Sequence, residues 1–210
     1  MSATDIQKYT IDVNHCHRVY NGEVSRWKPD ARGRLAEAAL ELYSERGFSN
    51  VTVAEIAERA ELTERTFFRH FADKREVLFS GGSALEERAV AALDGAPATL
   101  GTIDAVGVAV EAAAGVLQGR RRFARQRQSV ISANPELQER ERIKLASLAA
   151  ALAAGLRRRG VGETAASLAA EMGTAVFRIA FERWIKESKE RDFSQIVAES
   201  LDELKVVAQT

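Results

Sequence analysis

Hydrophobic residues recur at helical spacing along most of the chain, and strand-like alternation is scarce. Between residues 30 and 71 the apolar positions form three short helical faces separated by turn residues. Further helical patterns follow, with Gly, Pro or Asp marking the breaks, near 73–94, 102–118, 120–132, 135–159, 163–188 and 193–208. The pattern predicts an all-α protein of about nine helices.

The segment from Thr52 to Phe71 predicts two short helices joined by a tight turn. Thr52 and Thr63 occupy N-cap positions, and Glu55 completes a capping box with Thr52. Two capped helices a turn apart are typical of a helix-turn-helix, whose second helix enters the DNA major groove. The exposed face of that second helix would carry hydrogen-bonding, cationic and aromatic groups suited to base edges and phosphates, namely Thr63, Glu64, Arg65, Thr66, Phe68, Arg69 and His70.

Several of these side chains also have a plainer structural interpretation. Phe67 and Phe71 fall on the apolar face and are predicted to be core residues. Phe68 could be buried like them, because large aromatic side chains prefer burial. His70 could be an ordinary helix-end residue, and Arg65 and Arg69 could be solvated charges.

Residues 30–80 resemble the N-terminal DNA-binding domain of TetR-family transcriptional regulators. The string AEIAERAELTERTFFRHFADKREVL follows that family's pattern nearly position by position. The resemblance implies that Thr63, Glu64 and Arg65 face bases. It also implies contacts with the DNA backbone from Thr66, Phe68 and His70, and contacts with phosphates from Thr52 and Lys74.

Two positions depart from the family pattern. Glu61 stands in the turn where the family commonly has Gly, and Phe68 stands where Tyr is common, which removes one hydroxyl donor. If Glu61 must adopt a positive φ, the cost relative to Gly is up to about 1 kcal/mol. We expect a slightly altered turn rather than a lost motif.

Composition and charge limit the possible classes of protein. The formal net charge is zero, which argues against a generally cationic nucleic-acid coat but not against a local basic surface. The single Cys16 excludes an internal disulfide and fits a reducing, cytoplasmic location. We expect no membrane span and no signal peptide, because long apolar runs are missing and the start is polar.

The first 28 residues lack periodicity and are interpreted as a flexible N-terminal arm, followed by a DNA-binding domain over 29–79 and a ligand-binding and dimerisation domain over 80–210. The cluster His15-Cys16-His17 invites a metal interpretation, but adjacent residues chelate poorly and the segment offers no further ligands, so no metal site is predicted. Arg26 and Lys28 could reach DNA phosphates, or could belong to a solvated linker.

The segment from Leu168 to Trp184 is apolar over a wide arc and must be covered on two sides. In the TetR family the last two long helices form a four-helix bundle with those of a second copy, which implies a homodimer. The alternative is a buried core helix in a monomer. A dimer would place two recognition helices about 34 Å apart, where they read two half-sites.

The segment from Arg120 to Arg142 begins with a basic helix and continues through Asn134-Pro135. It resembles the C-terminal domain of regulators of the mycofactocin-system type, which implies an acyl-thioester or similar amphipathic ligand. Arginines beside apolar residues suit an anionic head and an apolar tail. Alternatively, Arg120–Arg122 are solvated, and Arg125 and Arg127 pair with Glu136, Glu139 or Glu141. The candidate pocket residues are Phe123, Arg127, Val130, Phe177, Phe181 and Trp184.

The resemblance implies a ligand-responsive repressor that occupies a palindromic double-stranded DNA operator as a dimer and is released by a small amphipathic or apolar effector. An effector in the regulatory domain would shift helix 73–94 like a lever. The alternative is a ligand-sequestering or protein-interaction module with a vestigial DNA-binding domain, favoured only by Glu61 and the neutral charge. An enzyme is not expected, because no nucleophile elbow, metal triad or phosphate loop occurs, and no cofactor is predicted.

Overall fold

The computed structural model describes residues 30–209. The predicted arm, with His15-Cys16-His17, Arg26 and Lys28, lies outside the described residues. Within them the chain is all-α, as predicted. Its α-helices are α1 (Ala31–Arg46), α2 (Val53–Arg59), α3 (Glu64–His70), α4 (Gly82–Gly95), α5 (Thr102–Leu117), α6 (Arg121–Ser132), α7 (Pro135–Arg158), α8 (Glu163–Lys186) and α9 (Phe193–Val207), with short 3-10 helices at Phe48–Asn50 and Glu76–Phe79.

The first hydrophobic cluster belongs to residues 31–79, which we call the head. It is built mainly from large side chains that α1, α2, α3 and the two 3-10 helices turn inward, among them Leu35, Leu42, Tyr43, Phe48, Ile56, Phe67, Phe71 and Val77. Edge-to-face packing of Tyr43 on Phe48, with ring centroids 5.0 Å apart, adds to this core. The recognition-helix candidate α3 is therefore anchored from beneath by bulky groups.

The second cluster belongs to residues 82–209, which we call the body. Here the contacts between helices use small residues, among them Ala105, Ala109, Ala113, Ala166, Ala169, Ala170 and Ala180. A methyl group at Gly173 of α8 would overlap the Val106 side chain of α5, and one at Gly107 would overlap Leu201 of α9. Small residues thus let α5, α8 and α9 approach closely.

The predicted continuous helix over 73–94 is wrong. The chain instead forms the 3-10 helix Glu76–Phe79, turns at Ser80 and Gly81, and begins α4 at Gly82. Two adjacent glycines carry a large backbone entropy cost in a helix, so this is where the helical pattern breaks. A lever that runs unbroken from the head into α4 is therefore not present.

Helices α6 and α7 join the two clusters, because Val130, Ile131 and Leu137 pack into the head's hydrophobic core. No single helix within residues 30–209 is both long and apolar enough to cross a membrane. The pair α5 and α6 passes that test only together, and it is bent by 97°.

Candidate nucleic-acid interface

The predicted capping box at the start of α2 is confirmed. The Glu55 amide donates to the Thr52 hydroxyl at 3.3 Å, and the Thr52 amide donates to the Glu55 carboxylate at 2.8 Å. These bonds from the Thr52 amide and hydroxyl, with a further contribution from Arg46, lower the pKa of Glu55 to about 2. The carboxylate therefore stays ionised and holds the entry of α2 at neutral pH.

The N-cap predicted for α3 is also confirmed, since the Thr66 amide donates to the Thr63 hydroxyl at 3.2 Å. Phe67 and Phe71 are buried as predicted, with ring centroids 5.5 Å apart. A capped first turn and two buried aromatic rings fix the orientation of this short helix on the head.

The outer face of α3 is exposed to solvent. Phe68 is 55% exposed, and Glu64, Arg65 and Arg69 are exposed as well. Within residues 30–209, none of these three charged side chains forms an ion pair. The structure therefore brings together an aromatic ring, two cations and a carboxylate on one free surface, with the Thr63 hydroxyl at its start.

The turn between α2 and α3 has the positive φ that the sequence suggested for Glu61, at 53°. Arg34 of α1 supports this turn by donating to the Ala60 carbonyl and by pairing with the Glu61 carboxylate at 3.5 Å. The motif is intact although Glu61 adopts a conformation that favours glycine, and Arg34 contacts both Ala60 and Glu61 at this turn. The sequence reasoning missed Arg34, since its partners lie 26 and 27 residues away and leave no local signal.

Lys74 has a structural task in addition to the predicted phosphate contact. Its ammonium donates to the Phe48 and Val51 carbonyls, each at 2.9 Å, and lies 4.5 Å from the centroid of the Phe48 ring. Tyr43 donates to the Lys74 carbonyl at 2.7 Å, and burial raises the pKa of that phenol. Because the ammonium also donates to the Ser49 carbonyl at 3.5 Å, all three of its donors have partners within the head, and a phosphate contact from Lys74 stays a prediction.

The other side chains predicted to contact the DNA backbone also have contacts within the protein. The hydroxyls of Thr52 and Thr66 belong to the two caps. His70 is half-buried at the end of α3, and its Nε2 atom is buried without a hydrogen-bond partner in the described structure. It lines a cleft of about 310 Å³ that also contains Arg140 of α7. A phosphate contact from His70 would have to use its other ring nitrogen.

An ionic link joins the head to α7. Glu76 forms a salt bridge with Arg140 and lies 3.3 Å from the Lys144 ammonium. Burial alone would raise the pKa of Glu76, but the Arg140 hydrogen bond and the Lys144 charge outweigh it, so the pKa is lowered. Sequence reasoning missed this link, because Glu76 and Arg140 are 64 residues apart.

The six predicted pocket residues divide between the two hydrophobic clusters, so the structure does not gather them into one site. Phe177, Phe181 and Trp184 surround Phe193 in the body, and the Trp184 and Phe193 rings stack 4.7 Å apart. Phe123 and Val130 pack with the head cluster instead.

Arg127 is also turned toward the head. Its guanidinium donates to the Leu78 carbonyl at 2.6 Å, pairs with Glu141 at 3.2 Å and stacks on Phe79. Burial lowers the pKa of Arg127, although the Glu141 carboxylate opposes the shift. The alternative interpretation of an ion pair with Glu141 is thus confirmed for Arg127, while Arg125 donates to the Ile185 and Glu187 carbonyls.

No group of three or more metal-ligating side chains occurs in the part of the chain that the structure describes. The exposed outer face of α3 offers hydrogen-bonding groups, charges of both signs and an apolar ring. These are the groups that read the edges of bases in the major groove.

Comparison with known proteins supports this interpretation. Residues 35–80 match the model for bacterial regulatory proteins of the tetR family, and residues 100–209 match the model for the MftR C-terminal domain. The chain is 43% identical over 84 residues to the HTH-type transcriptional regulator TcmR of Streptomyces glaucescens, which covers 40% of this chain but only 37% of TcmR. It is 25% identical over 171 residues to MftR of Mycobacterium tuberculosis, named for regulating mycofactocin biosynthesis, covering 80% and 86% of the two chains.

The fold is shared with solved regulators. The fatty acid degradation regulator FadR of Bacillus halodurans aligns with a TM-score of 0.59 at 17% identity, over 85% of this chain and 96% of that one. FadR of Bacillus subtilis, solved in complex with stearoyl-CoA, aligns with a TM-score of 0.57 at 18% identity, over 82% and 96%. With residues 35–80 and 100–209 matched by family models and a helix-turn-helix in place, the chain belongs to the TetR family of DNA-binding transcriptional regulators, which are not enzymes.

Proposed function

We propose that this regulator is a cytoplasmic homodimeric repressor that binds a palindromic operator and is released by a small amphipathic effector. The observation that carries the proposal is the outer face of α3, where Arg65, Phe68 and Arg69 are exposed above a buried aromatic anchor. Within the described residues, no salt bridge of these side chains has to break before the face contacts DNA. The proposed DNA-binding domain spans residues 29–79, and the proposed ligand-binding and dimerisation domain spans 80–210.

The roles on DNA follow from side-chain chemistry. Thr63, Glu64 and Arg65 open α3 and face base edges, where Arg bonds bidentately to guanine. Phe68 offers an apolar contact to a thymine methyl group or to the sugar backbone. Arg69, with Thr52, Thr66, His70 and Lys74, would contact phosphates, which position the helix without reading sequence.

The dimer is supported by an apolar stripe on the outside of α8. Leu168 is 61% exposed and Ile179 is 47% exposed, and the half-buried Met172 and Ala175 lie between them at helical spacing. Apolar residues repeated three or four positions apart form one continuous strip, which a second copy of the same helix can cover. The partner would thereby place its own α3 one turn of DNA away.

The effector class is proposed from chemistry and likeness together. The FadR of Bacillus subtilis is solved with stearoyl-CoA, a molecule with a long apolar chain and an anionic head. In this chain the aromatic group around Phe193 offers an apolar environment, and its rings are in contact with one another. An acyl-thioester would therefore have to separate Phe177, Phe181 and Trp184, and this displacement would be passed to the head by α6 and α7.

The test is binding of the purified protein to the duplex upstream of its own gene, measured by fluorescence anisotropy at two salt concentrations. We expect sequence-dependent binding with two chains, or a multiple of two, per site. Arg65→Ala should weaken it by about tenfold, since a bidentate base contact contributes about 1–3 kcal/mol. Arg88→Ala is the matched control, because Arg88 is exposed on α4, away from α3.

The same titration separates the repressor from its rival. Binding that ignores sequence and is unaffected by Arg65→Ala, on duplexes that tile the neighbouring genes, would favour a sequestering or interaction module with a vestigial head. Addition of an acyl-thioester to the preformed complex tests the effector. Release of DNA supports the proposed class, and unchanged anisotropy at saturating thioester contradicts it.

A further inference from the structure

A second cleft lies between the end of α1 in the head and α6 in the body. Its volume is about 500 Å³, within the usual range for a small-molecule site. It is separate from the outer face of α3 and from the aromatic group around Phe193. Of the six pocket residues predicted from sequence, only Val130 lines it.

The charges that line this α1–α6 cleft all have one sign. Arg122 and Arg125 are its charged side chains, and no carboxylate is among the lining residues. Neutral hydrogen-bonding groups complete the wall, including Ser44, Gln126 and Ser129. The Ser44 hydroxyl already donates to the Leu40 carbonyl and the Gln126 amide to the Ser44 hydroxyl, so an anion would be held mainly by the two guanidiniums and the Ser129 hydroxyl.

The two arginine side chains differ in how firmly they are held by hydrogen bonds. Arg125 is held in place by bonds from its Nε to the Ile185 carbonyl at 2.7 Å and from its Nη2 to the Glu187 carbonyl at 3.3 Å. Arg122 is exposed, and no hydrogen bond or ion pair of its side chain occurs within residues 30–209. One guanidinium is therefore pre-oriented, and the other is free to close on a ligand.

The beginning of α7 adds to the positive potential. Asn134 lines the cleft and is the N-cap residue of this 24-residue helix, but its side chain does not cap the helix. Instead its amide donates to the Val130 carbonyl at 2.6 Å. The positive end of the α7 dipole thus lies beside the two arginines.

The cleft near His70 provides a contrast within the same molecule. Two of its three arginines are already matched by acids, because Arg75 pairs with Asp73 at 2.6 Å and Arg140 pairs with Glu76, while Arg32 stacks on the Phe71 ring. An anion entering that cleft would have to displace carboxylates. An anion entering the α1–α6 cleft would not.

We propose that the α1–α6 cleft binds a small organic anion, with its phosphate or carboxylate group held by Arg122 and Arg125. The apolar part of the ligand would lie against Tyr43 and Val130, which also line the cleft. The ligand would touch α1 and α6 together, so it would bridge the head and the body. This site is independent of the operator and of the effector class proposed above.

The experiment is isothermal titration calorimetry on the full chain without DNA, with phenyl phosphate as the probe at low ionic strength. Phenol is the uncharged control, and benzoate tests whether a carboxylate serves as well as a phosphate. We expect phenyl phosphate to bind once per chain and phenol not to bind. Absence of phenyl phosphate binding, or equal binding of phenol, would overturn the proposal.

Two variants test the location of the site. Arg122→Ala removes the free guanidinium, and Ser129→Asp places a carboxylate in the lining. Each should weaken phenyl phosphate binding by about tenfold or more, because the charge-assisted hydrogen bonds are lost or opposed. Arg88→Ala is the matched control for Arg122→Ala and should bind the probe like the parent protein. Ser129→Asn is the uncharged counterpart of Ser129→Asp and should bind the probe more tightly than Ser129→Asp does.

The same variants distinguish a free small anion from a DNA phosphate. Ser129→Asp should leave affinity for the upstream duplex within about twofold of Ser129→Asn. The loss of one hydrogen bond to a charged group would change that affinity by more than this. If Ser129→Asp weakens duplex binding as much as probe binding, the cleft belongs to the DNA interface and the proposal is wrong. Normal probe binding by both Arg122→Ala and Ser129→Asp would also refute it.

Discussion

The head and the body are both helical, but their cores are built in opposite ways. The head packs large side chains such as Phe48, Phe67 and Phe71 among short helices. The body packs long helices through alanines and glycines, and Gly173 and Gly107 sit where a methyl group would overlap a neighbour. Loss of volume should therefore damage the head, and gain of volume should damage the body.

The two regions also differ in how their helices begin. In the head, Thr52 and Thr63 cap α2 and α3 with their own hydroxyls. In the body, the Asp192 side chain caps α9, but the longer helices α5 and α8 have Gly101 and Gly162 at the N-cap position and no side-chain cap. Helices of seven residues need local help to form, whereas helices of 16 and 24 residues are stabilised by the surface they bury.

The largest effect should come from Phe67→Ala in the head. The fully buried ring leaves a cavity beneath α3, and we expect the free energy of unfolding to fall by about 3–5 kcal/mol. Urea denaturation followed by circular dichroism measures this loss. Phe68→Ala is the matched control on the exposed face, and it should change stability by less than about 0.5 kcal/mol. Equal losses in the two variants would contradict the description of α3.

The next effect is expected in the body, where adding a single methyl group should be harmful. Gly173→Ala would press Cβ into the Val106 side chain and should destabilise the protein by about 1–3 kcal/mol, despite the better helix propensity of Ala. Gly115→Ala in α5 is the control, because no side chain lies within 4 Å of the added Cβ. It should raise stability by up to about 1 kcal/mol. A stabilising Gly173→Ala would show that the α5–α8 contact can relax.

The sequence predicts local features of the head and the body better than contacts between distant residues. The caps of α2 and α3 and the burial of Phe67 were predictable, because each depends on residues three or four positions apart. The helices of the body are predictable from periodicity, but the apolar pattern runs through Gly81 and predicts a continuous helix over 73–94, which the structure breaks there. The contacts of Arg34 and Glu76 and the turning of Arg127 toward the head depend on residues distant in the chain, so periodicity carried no signal for them.

A smaller effect is predicted for the cap of α3. Thr63→Ala removes the acceptor for the Thr66 amide and should cost about 1 kcal/mol of stability. Thr63→Ser keeps the hydroxyl and should restore most of it. Thermal unfolding measures both variants. If Ala and Ser behave alike, the cap does not stabilise the head.

The smallest predicted effect concerns Glu76, where the head and the body are tied by charge. Its folded pKa lies below the ordinary value of a glutamate, so its ionised form adds stability at neutral pH. That contribution should disappear as the pH falls from about 5 through the lowered folded value, because the carboxylate must then be protonated. Since the group is partly exposed, we expect less than about 1 kcal/mol.

Glu76→Gln should therefore be slightly less stable than the parent protein at pH 7 and equally stable near pH 3, so that its stability falls less steeply with acid. Glu87→Gln is the matched control, because Glu87 is exposed on α4 and forms no ion pair within the described residues. Urea denaturation at a series of pH values measures the slopes. Identical slopes for the parent protein and Glu76→Gln would mean that Arg140 and Lys144 add no net stability, and that other contacts hold the head to the body, among them the packing of Val130, Ile131 and Leu137 and the Arg127 bond to the Leu78 carbonyl.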